Sequence, residues 1–329
     1  MNKTCVPDVT RLDYKGPAGR PDIKIFVSHR VDMESETIDC PLFIPVRCGA
    51  VFDDRSPEKI REMPGDDTGD NISERRMTFN EFTVLYWAWK NVNADYYGLC
   101  HYRRYMIFPA QGLQADPYGN VLIDNLNYDS CISCGLLNLH KMEKIIKAND
   151  ILLSIPYDVT YRGFHNLFEH YTEVPMQHRA DLNTALEVLC ELYPNYAESA
   201  NEYLNGTLFY PCNLFIMKRE IFKEYCQWIF KILFKLEDRI SIKNYTEQEQ
   251  RVYGLIGERL LGVFVTQYLK DHPDAKFSVV QRALFLNTTR TNDCKQTLQN
   301  KLKHFLKNHM NESGSAYQLV KKLYQLTKK

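Results

Sequence analysis

The chain has 329 residues, 44% of them hydrophobic and 12% aromatic, which is enough apolar material for one large α/β domain or two smaller ones. Its 41 basic residues balance 41 acidic ones, and this argues against nucleic acid as a partner. The opening MNKTCVPDVTRLDYKG has no apolar signal core, and no run approaches the roughly 18 apolar residues of a membrane span, so a cytoplasmic protein is expected.

After an irregular lead-in, DIKIFVSHR predicts a strand from Ile23 to Ser28 that ends at His29 and Arg30. PLFIPVRCGAVF is a second apolar run broken by prolines, and DDRSPEKIREMPGDDTGDNISERR is a turn-rich loop, at the surface or at a ligand. Thr78 and Glu81 fit a capping box that opens a helix with Phe82, Leu85, Tyr86 and Trp89 at helical spacing. ADYYGLCHYRRYM then predicts a strand in which Gly98 marks a close backbone approach and which ends in His101, Tyr102, Arg103 and Arg104. This order of elements predicts a parallel α/β sheet, whose ligands bind beyond the carboxyl ends of the strands, where both His/Arg clusters fall.

Cys131 and Cys134 form a lone CxxC without a second pair at zinc spacing, and the ten cysteines read as reduced thiols. LHKMEKIIKAND predicts a helix and ILLSIP a strand. Residues 157–205, with a helix from about Leu182 to Leu192, predict a lid or subdomain. LFYPCNLFIMKREIF predicts a strand and then a helix burying Phe222, Tyr225, Trp228, Ile229, Ile232 and Leu236; another helix spans roughly Glu247 to Lys270.

Guanidinium forks match phosphate oxygens bidentately, so a strand end rich in His and Arg suits a diphosphate without any metal. The alternative is a structural ion-pair cluster in which loop carboxylates hold Arg103 and Arg104. Asp66, Asp67, Asp70, Asn71 and Ser73 offer small polar groups to ribose hydroxyls or a uracil edge. A solvated turn and an acidic metal site are the other readings, although the spacing fits neither a calcium loop nor a zinc site. GxGxxG, GxxxxGK[ST] and GxSxG are all absent, which counts against a dinucleotide fold, a P-loop NTPase and a hydrolase elbow.

GDNIS, LYWAWKN, DYYGLCHYRRY, PCNLFIMKREIF and GERLL, in this order between about Ile23 and Tyr268, resemble a large bacterial family long catalogued as a domain of unknown function. It occurs in capsule, exopolysaccharide and lipopolysaccharide gene clusters. The resemblance implies a glycosyltransferase of GT-A-like α/β fold, a mixed, mostly parallel sheet flanked by helices, with galactosyl or galactofuranosyl transfer among its members. The family pattern often has Asn where this chain has Arg76, so that part of the donor loop differs here. In a GT-A fold the comparable strand ends in Asp-x-Asp, which holds a divalent cation on the sugar-nucleotide diphosphate. Here it reads His101-Tyr102-Arg103. Fixed cationic side chains are therefore expected to replace the metal, with a UDP-sugar as co-substrate and no cofactor.

An inverting transfer needs a carboxylate to deprotonate the acceptor hydroxyl. Glu258, with Gly254 and Gly257 leaving room for an approach, is the expected base; a structural partner of Arg103 is the other reading, and Asp181 and Glu169 are fallbacks. Arg103 and His101 are expected to stabilise the departing diphosphate, supported by Arg104. His29, Asp70, Asn71, Ser73 and Tyr102 are expected to hold the donor, and His178, Asp181 and Asn213 the acceptor. His165 and His170 share the acceptor-side segment, and Trp87 and Trp89 read as core, or one of them as a sugar platform.

Residues 290–329 hold nine basic residues (Arg290, Lys295, Lys301, Lys303, Lys307, Lys321, Lys322, Lys328, Lys329) against Asp293 and Glu312, a net of +7 that leaves −7 elsewhere. The expected organisation is a transferase domain over 1–285 and a basic amphipathic helical tail over 286–329. The tail either packs on the domain or lies on an anionic membrane at about 1 kcal/mol per basic residue. A glycan or undecaprenyl-linked glycan acceptor would give the membrane contact a purpose. The rivals are a metal-dependent transferase using Asp66, Asp67 or Asp70, and a non-catalytic nucleotide- or carbohydrate-binding protein.

Overall fold

Strands β1 (Ile23–Arg30), β2 (Phe43–Cys48) and β3 (Tyr96–His101) are buried along nearly their whole length, as parallel strands covered on both faces must be. They belong to a computed structural model that describes residues 10–15, 19–60, 63–108 and 112–288. Side chains alternate between two cores: Phe26, Tyr97 and Leu99 enter one, while Ile25, Val27, Tyr96 and Cys100 enter the other.

The remaining strands are β4 (Arg104–Met106), β5 (Asn120–Asn125), β6 (Ile151–Ser154), β7 (Tyr157–Asp158), β8 (Leu208–Phe209), β9 (Phe215–Lys218), β10 (Phe277–Val280) and β11 (Arg282–Asn287). Among the described residues a nine-stranded sheet contains all but the β7–β8 ribbon. β2, β1 and β3 run parallel, β9 is inserted antiparallel between β3 and β6, and β10 runs parallel to β6. At its carboxyl end β3 turns through the pair His101 and Arg104 into β4, which pairs antiparallel with β11; β5 lies parallel to β11. Only β9 and β4 oppose the common direction, so the sheet is mixed and mostly parallel, with helices on its faces. No helix among the described residues is long and apolar enough to cross a membrane.

Gly98 is where the central strands press closest. A Cβ there would lie 2.9 Å from Ile216 Cγ1, 3.1 Å from the Phe215 carbonyl oxygen and 3.2 Å from Ile25 Cγ1. Gly98→Ala is expected to destabilise the fold by about 1–3 kcal/mol through overpacking, read as a lower midpoint in urea at unchanged slope. An unchanged midpoint would show that β9 can move away.

Three expectations are revised by the structure. The capping box at Thr78 and Glu81 does not form: Asn80 takes a positive φ of 51°, splitting the segment into helices Arg76–Phe79 and Phe82–Asn91. The Thr78 hydroxyl donates to the Arg75 carbonyl instead, and Glu81 is left at the junction. Residues 157–205 form helices Leu167–Thr172, Arg179–Leu192 and Ala197–Asn205, whose Leu182, Ala185, Val188 and Leu189 are part of a main core. The boundary expected at 285/286 falls inside β11, and the proposed tail from residue 289 onward lies outside the described residues.

Candidate active site

A cleft of about 460 Å³ opens beyond the carboxyl ends of β1 and β3. Ser28 and Arg30 come from the end of β1, and His101, Tyr102, Arg103 and Arg104 from the β3–β4 turn. The split helix supplies Arg76, Asn80 and Glu81, and Arg251 and Glu258 come from the entry and first turns of the helix Val252–Asp271 and the turn before it.

Among the described residues five arginines face this space: Arg30, Arg76, Arg103, Arg104 and Arg251. Arg30 and Arg76 share Asp32, with Arg30 Nε donating to Oδ1 at 2.9 Å and Arg76 Nη2 to the same oxygen at 3.1 Å. Hydrogen bonding from Arg30 holds the Asp32 carboxyl well below the usual carboxylate range, against the opposing effect of burial. The Arg76 stem lies on Gly49, where a Cβ would come within 2.2 Å of Arg76 Cδ. Arg251 Nε donates to Asn80 Oδ1 at 3.1 Å. Arg103 is exposed, its guanidinium 5.7 Å from the Tyr102 ring centroid, and Arg104 is half-buried. Neither forms an ion pair among the described residues, so the structural ion-pair alternative for them is not what the fold builds. Their donors remain open to an anion.

His101 departs from its expected role. Its Nε2 lies 2.7 Å from the Cys212 carbonyl oxygen, which can only accept, so Nε2 carries the hydrogen. Burial first, and then the Arg104 guanidinium, push its pKa down to about 4. The imidazole is neutral at pH 7 and its one N–H is already engaged, so it supplies no charge to a diphosphate. Cys212 and Asn213 hold φ values of 68° and 49°, a left-handed turn into β9. There Asn213, fully buried, donates from Nδ2 to Glu81 Oε1 at 2.6 Å.

Glu81 and Glu258 are the acidic side of the cleft. Burial pushes both carboxyls up; for Glu81 the Asn213 hydrogen bond partly counters this, and for Glu258 the charge of Glu81 adds to it. Glu258 is half-buried and makes no hydrogen bond among the described residues. The room expected at Gly254 and Gly257 is filled by the chain itself, since Cβ atoms there would meet Asn80 Nδ2 at 2.1 Å and the Phe82 ring at 2.3 Å. This contact holds Glu258 against the Glu81 segment.

Other expected site residues lie elsewhere. His29 is buried, its Nδ1 2.7 Å from Ser35 Oγ, and does not line the cleft. Asp70 is exposed and accepts from Tyr86, Asn71 bonds within its own turn, and Ser73 donates to Asp66. His178 pairs with Glu249 at 3.1 Å, and Asp181 is buried and accepts from the Tyr245 hydroxyl. His165 bonds Glu169 at the surface. His170 is buried between Tyr157 and Arg259 with its pKa pushed down to about 3, by burial and then by Arg259. Trp87 is core, bonded to Thr68, and Trp89 stacks on Phe230. Asp32, Glu81 and Arg251 were not expected. Only Asp32, two residues past a strand end, carried a positional signal.

The Asp66 carboxylate, with no exposure, accepts from the backbone N–H groups of Gly49 and Ala50, both at 2.9 Å, and from the hydroxyls of Ser73 at 2.6 Å and Thr83 at 2.5 Å. Its lone pairs are thus taken by the protein. Among the described residues no three His, Cys, Asp or Glu side chains are grouped so as to hold a metal ion.

A solved structure titled as the apo form of WbbM, a bifunctional glycosyltransferase, matches this chain with a TM-score of 0.75 and 33% identity. The match covers 81% of this chain and 46% of that one, so the chain spans about half the length of its structural relative. The architecture is accordingly GT-A-like. No curated protein matches the chain. A family model described as a domain of unknown function matches residues 24–270, most of the chain and all of the cleft, and the chain belongs to that family, DUF4422.

Proposed function

We propose that the chain is a glycosyltransferase that moves a sugar from a UDP-sugar to a hydroxyl of a glycan or lipid-linked glycan, with inversion and without a divalent metal. The observation that supports it is the pair Arg103 and Arg104, which form no ion pair among the described residues at the end of β3, in a chain 33% identical to part of a glycosyltransferase. As the bond from the anomeric carbon to the diphosphate oxygen breaks, negative charge grows on the leaving group, and guanidinium donors placed in advance stabilise it. The acceptor oxygen attacks the anomeric carbon from the opposite face, and its proton passes to the Glu258 carboxylate. Galactose or galactofuranose is the favoured sugar, on the family resemblance.

The metal-dependent reading loses support because Asp66 spends its lone pairs on four protein donors. Thermal stabilisation by UDP, UDP-galactose, UDP-galactofuranose, UDP-glucose and GDP-mannose, each in EDTA and in manganese, tests the proposal. A UDP-sugar at 100 times its Kd should stabilise by about 2.7 kcal/mol in EDTA, and Arg103→Ala should remove most of this. Stabilisation confined to manganese would move the diphosphate to carboxylates. Binding of UDP with no release of UDP from any donor would favour the non-catalytic reading.

A further inference from the structure

We infer that His101 Nδ1 accepts a hydrogen bond from a hydroxyl of the transferred sugar, making His101 a donor-specificity residue rather than part of the diphosphate cradle. The inference rests on the reading of the cleft as a UDP-sugar site.

The geometry fixes the tautomer. The Cys212 carbonyl takes the Nε2 hydrogen at 2.7 Å, so the lone pair of the neutral ring is on Nδ1. Nδ1 has no partner among the described residues, and His101 lines the cleft. Burial first, and then Arg104, oppose a second proton on the ring and outweigh the Glu258 charge that favours it.

The chemistry of the lining gives that lone pair a use. Guanidinium groups only donate, so the arginines suit the diphosphate oxygens but cannot accept the O–H of a sugar hydroxyl. Sugar hydroxyls stripped of water need acceptors, and a buried unpaired hydroxyl costs about 1–3 kcal/mol. The cleft also holds the carboxylates of Glu81 and Glu258, but Glu81 is engaged by Asn213 and Glu258 is assigned to the acceptor hydroxyl, so Nδ1 of His101 is an uncharged acceptor left for the donor sugar. His101 and Arg103 line the same cleft two residues apart, so a diphosphate held by Arg103 brings its flanking sugars near His101, and comparing UDP with UDP-sugars separates the transferred sugar from the ribose. A site that hydrogen-bonds a hydroxyl also rejects analogues that lack it.

The test compares Kd values of UDP, UDP-galactose and UDP-galactofuranose for wild type and His101→Phe by calorimetry, together with monodeoxy analogues of the tighter donor. The expected result is a loss of about tenfold for the UDP-sugar, about 1.4 kcal/mol, with UDP unchanged. One monodeoxy analogue should bind both proteins alike. Because the variant can perturb the fold, the wild type is also read by ¹⁵N NMR of its histidines at pH 7. Nδ1 of His101 should be unprotonated, shifting with the UDP-sugar and not with UDP. Equal weakening of UDP and the UDP-sugar, or a protonated Nδ1, would overturn the inference while leaving the cleft assignment standing. Failure of wild type to bind UDP at all would instead overturn the cleft assignment, and this inference with it.

Discussion

Glu258→Gln should lower kcat by about 10²–10⁴-fold, the usual contribution of a positioned general base, while UDP-sugar binding survives and the folded state becomes more stable at neutral pH. The two effects have one origin. Burial, and then the neighbouring Glu81 charge, raise the Glu258 carboxyl above its ordinary value, and no hydrogen bond among the described residues compensates. A carboxyl raised in the folded state binds its proton more tightly there than in the unfolded chain. The stability linked to that proton is present below the unfolded value and lost as pH rises through the folded one. At pH 7 the ionised side chain is therefore a cost, which glutamine removes without changing shape. Turnover requires the same ionised form, so kcat should rise with pH through the raised value, and the glutamine variant should lack that limb. Paired measurements of turnover and melting temperature between about pH 5 and 8 decide the matter. A variant that keeps wild-type kcat would eliminate Glu258 as the base. One that loses both activity and stability would make it a structural carboxylate.

The cleft is only half visible in the sequence, and the boundary is physical. β1 and β3 are legible because strands covered on both faces must be continuously apolar, and a cationic run at such an end conflicts with burial unless it opens onto a ligand or a partner. Asn213, expected on the acceptor side, is fully buried and does not line the cleft; its contact with Glu81 is hidden in the sequence because the two lie on different elements. Glu81 itself is not legible: its spacing from Thr78 is the same whether or not Asn80 breaks the helix, and the break lies against Gly254 and Gly257, some 170 residues away. The charge state of His101 is equally hidden, because it depends on a backbone carbonyl at Cys212 and on Arg104 beside it. A carbonyl leaves no trace in residue identity. β5 also escapes, since NVLIDN leaves most of its positions partly or fully exposed.

Asp66→Ala is expected to cost about 3–5 kcal/mol, since each buried donor left without an acceptor costs about 1–3 kcal/mol, and to lower the melting temperature by on the order of 10 °C. The carboxylate holds the Gly49 and Ala50 N–H groups and the Ser73 and Thr83 hydroxyls in one cluster without solvent. Alanine leaves the Gly49 and Ala50 N–H groups facing a cavity, while the Thr83 hydroxyl keeps the Asn80 carbonyl at 3.1 Å. Gly49 also packs on the Arg76 stem, so loosening that turn should weaken donor binding only as a consequence of the lost stability. Asp67 and Asp70 are exposed, and their alanine variants should stay within about 0.5 kcal/mol of wild type. Denaturation midpoints for the three variants, with turnover per folded molecule in EDTA and in manganese, separate a structural carboxylate from a metal ligand. A variant at Asp66 that melted like wild type yet lost turnover only in manganese would assign that carboxylate to a cation. The expected outcome, a less stable protein with similar turnover per folded molecule in both media, would place Asp66 in the frame that supports the arginine cleft.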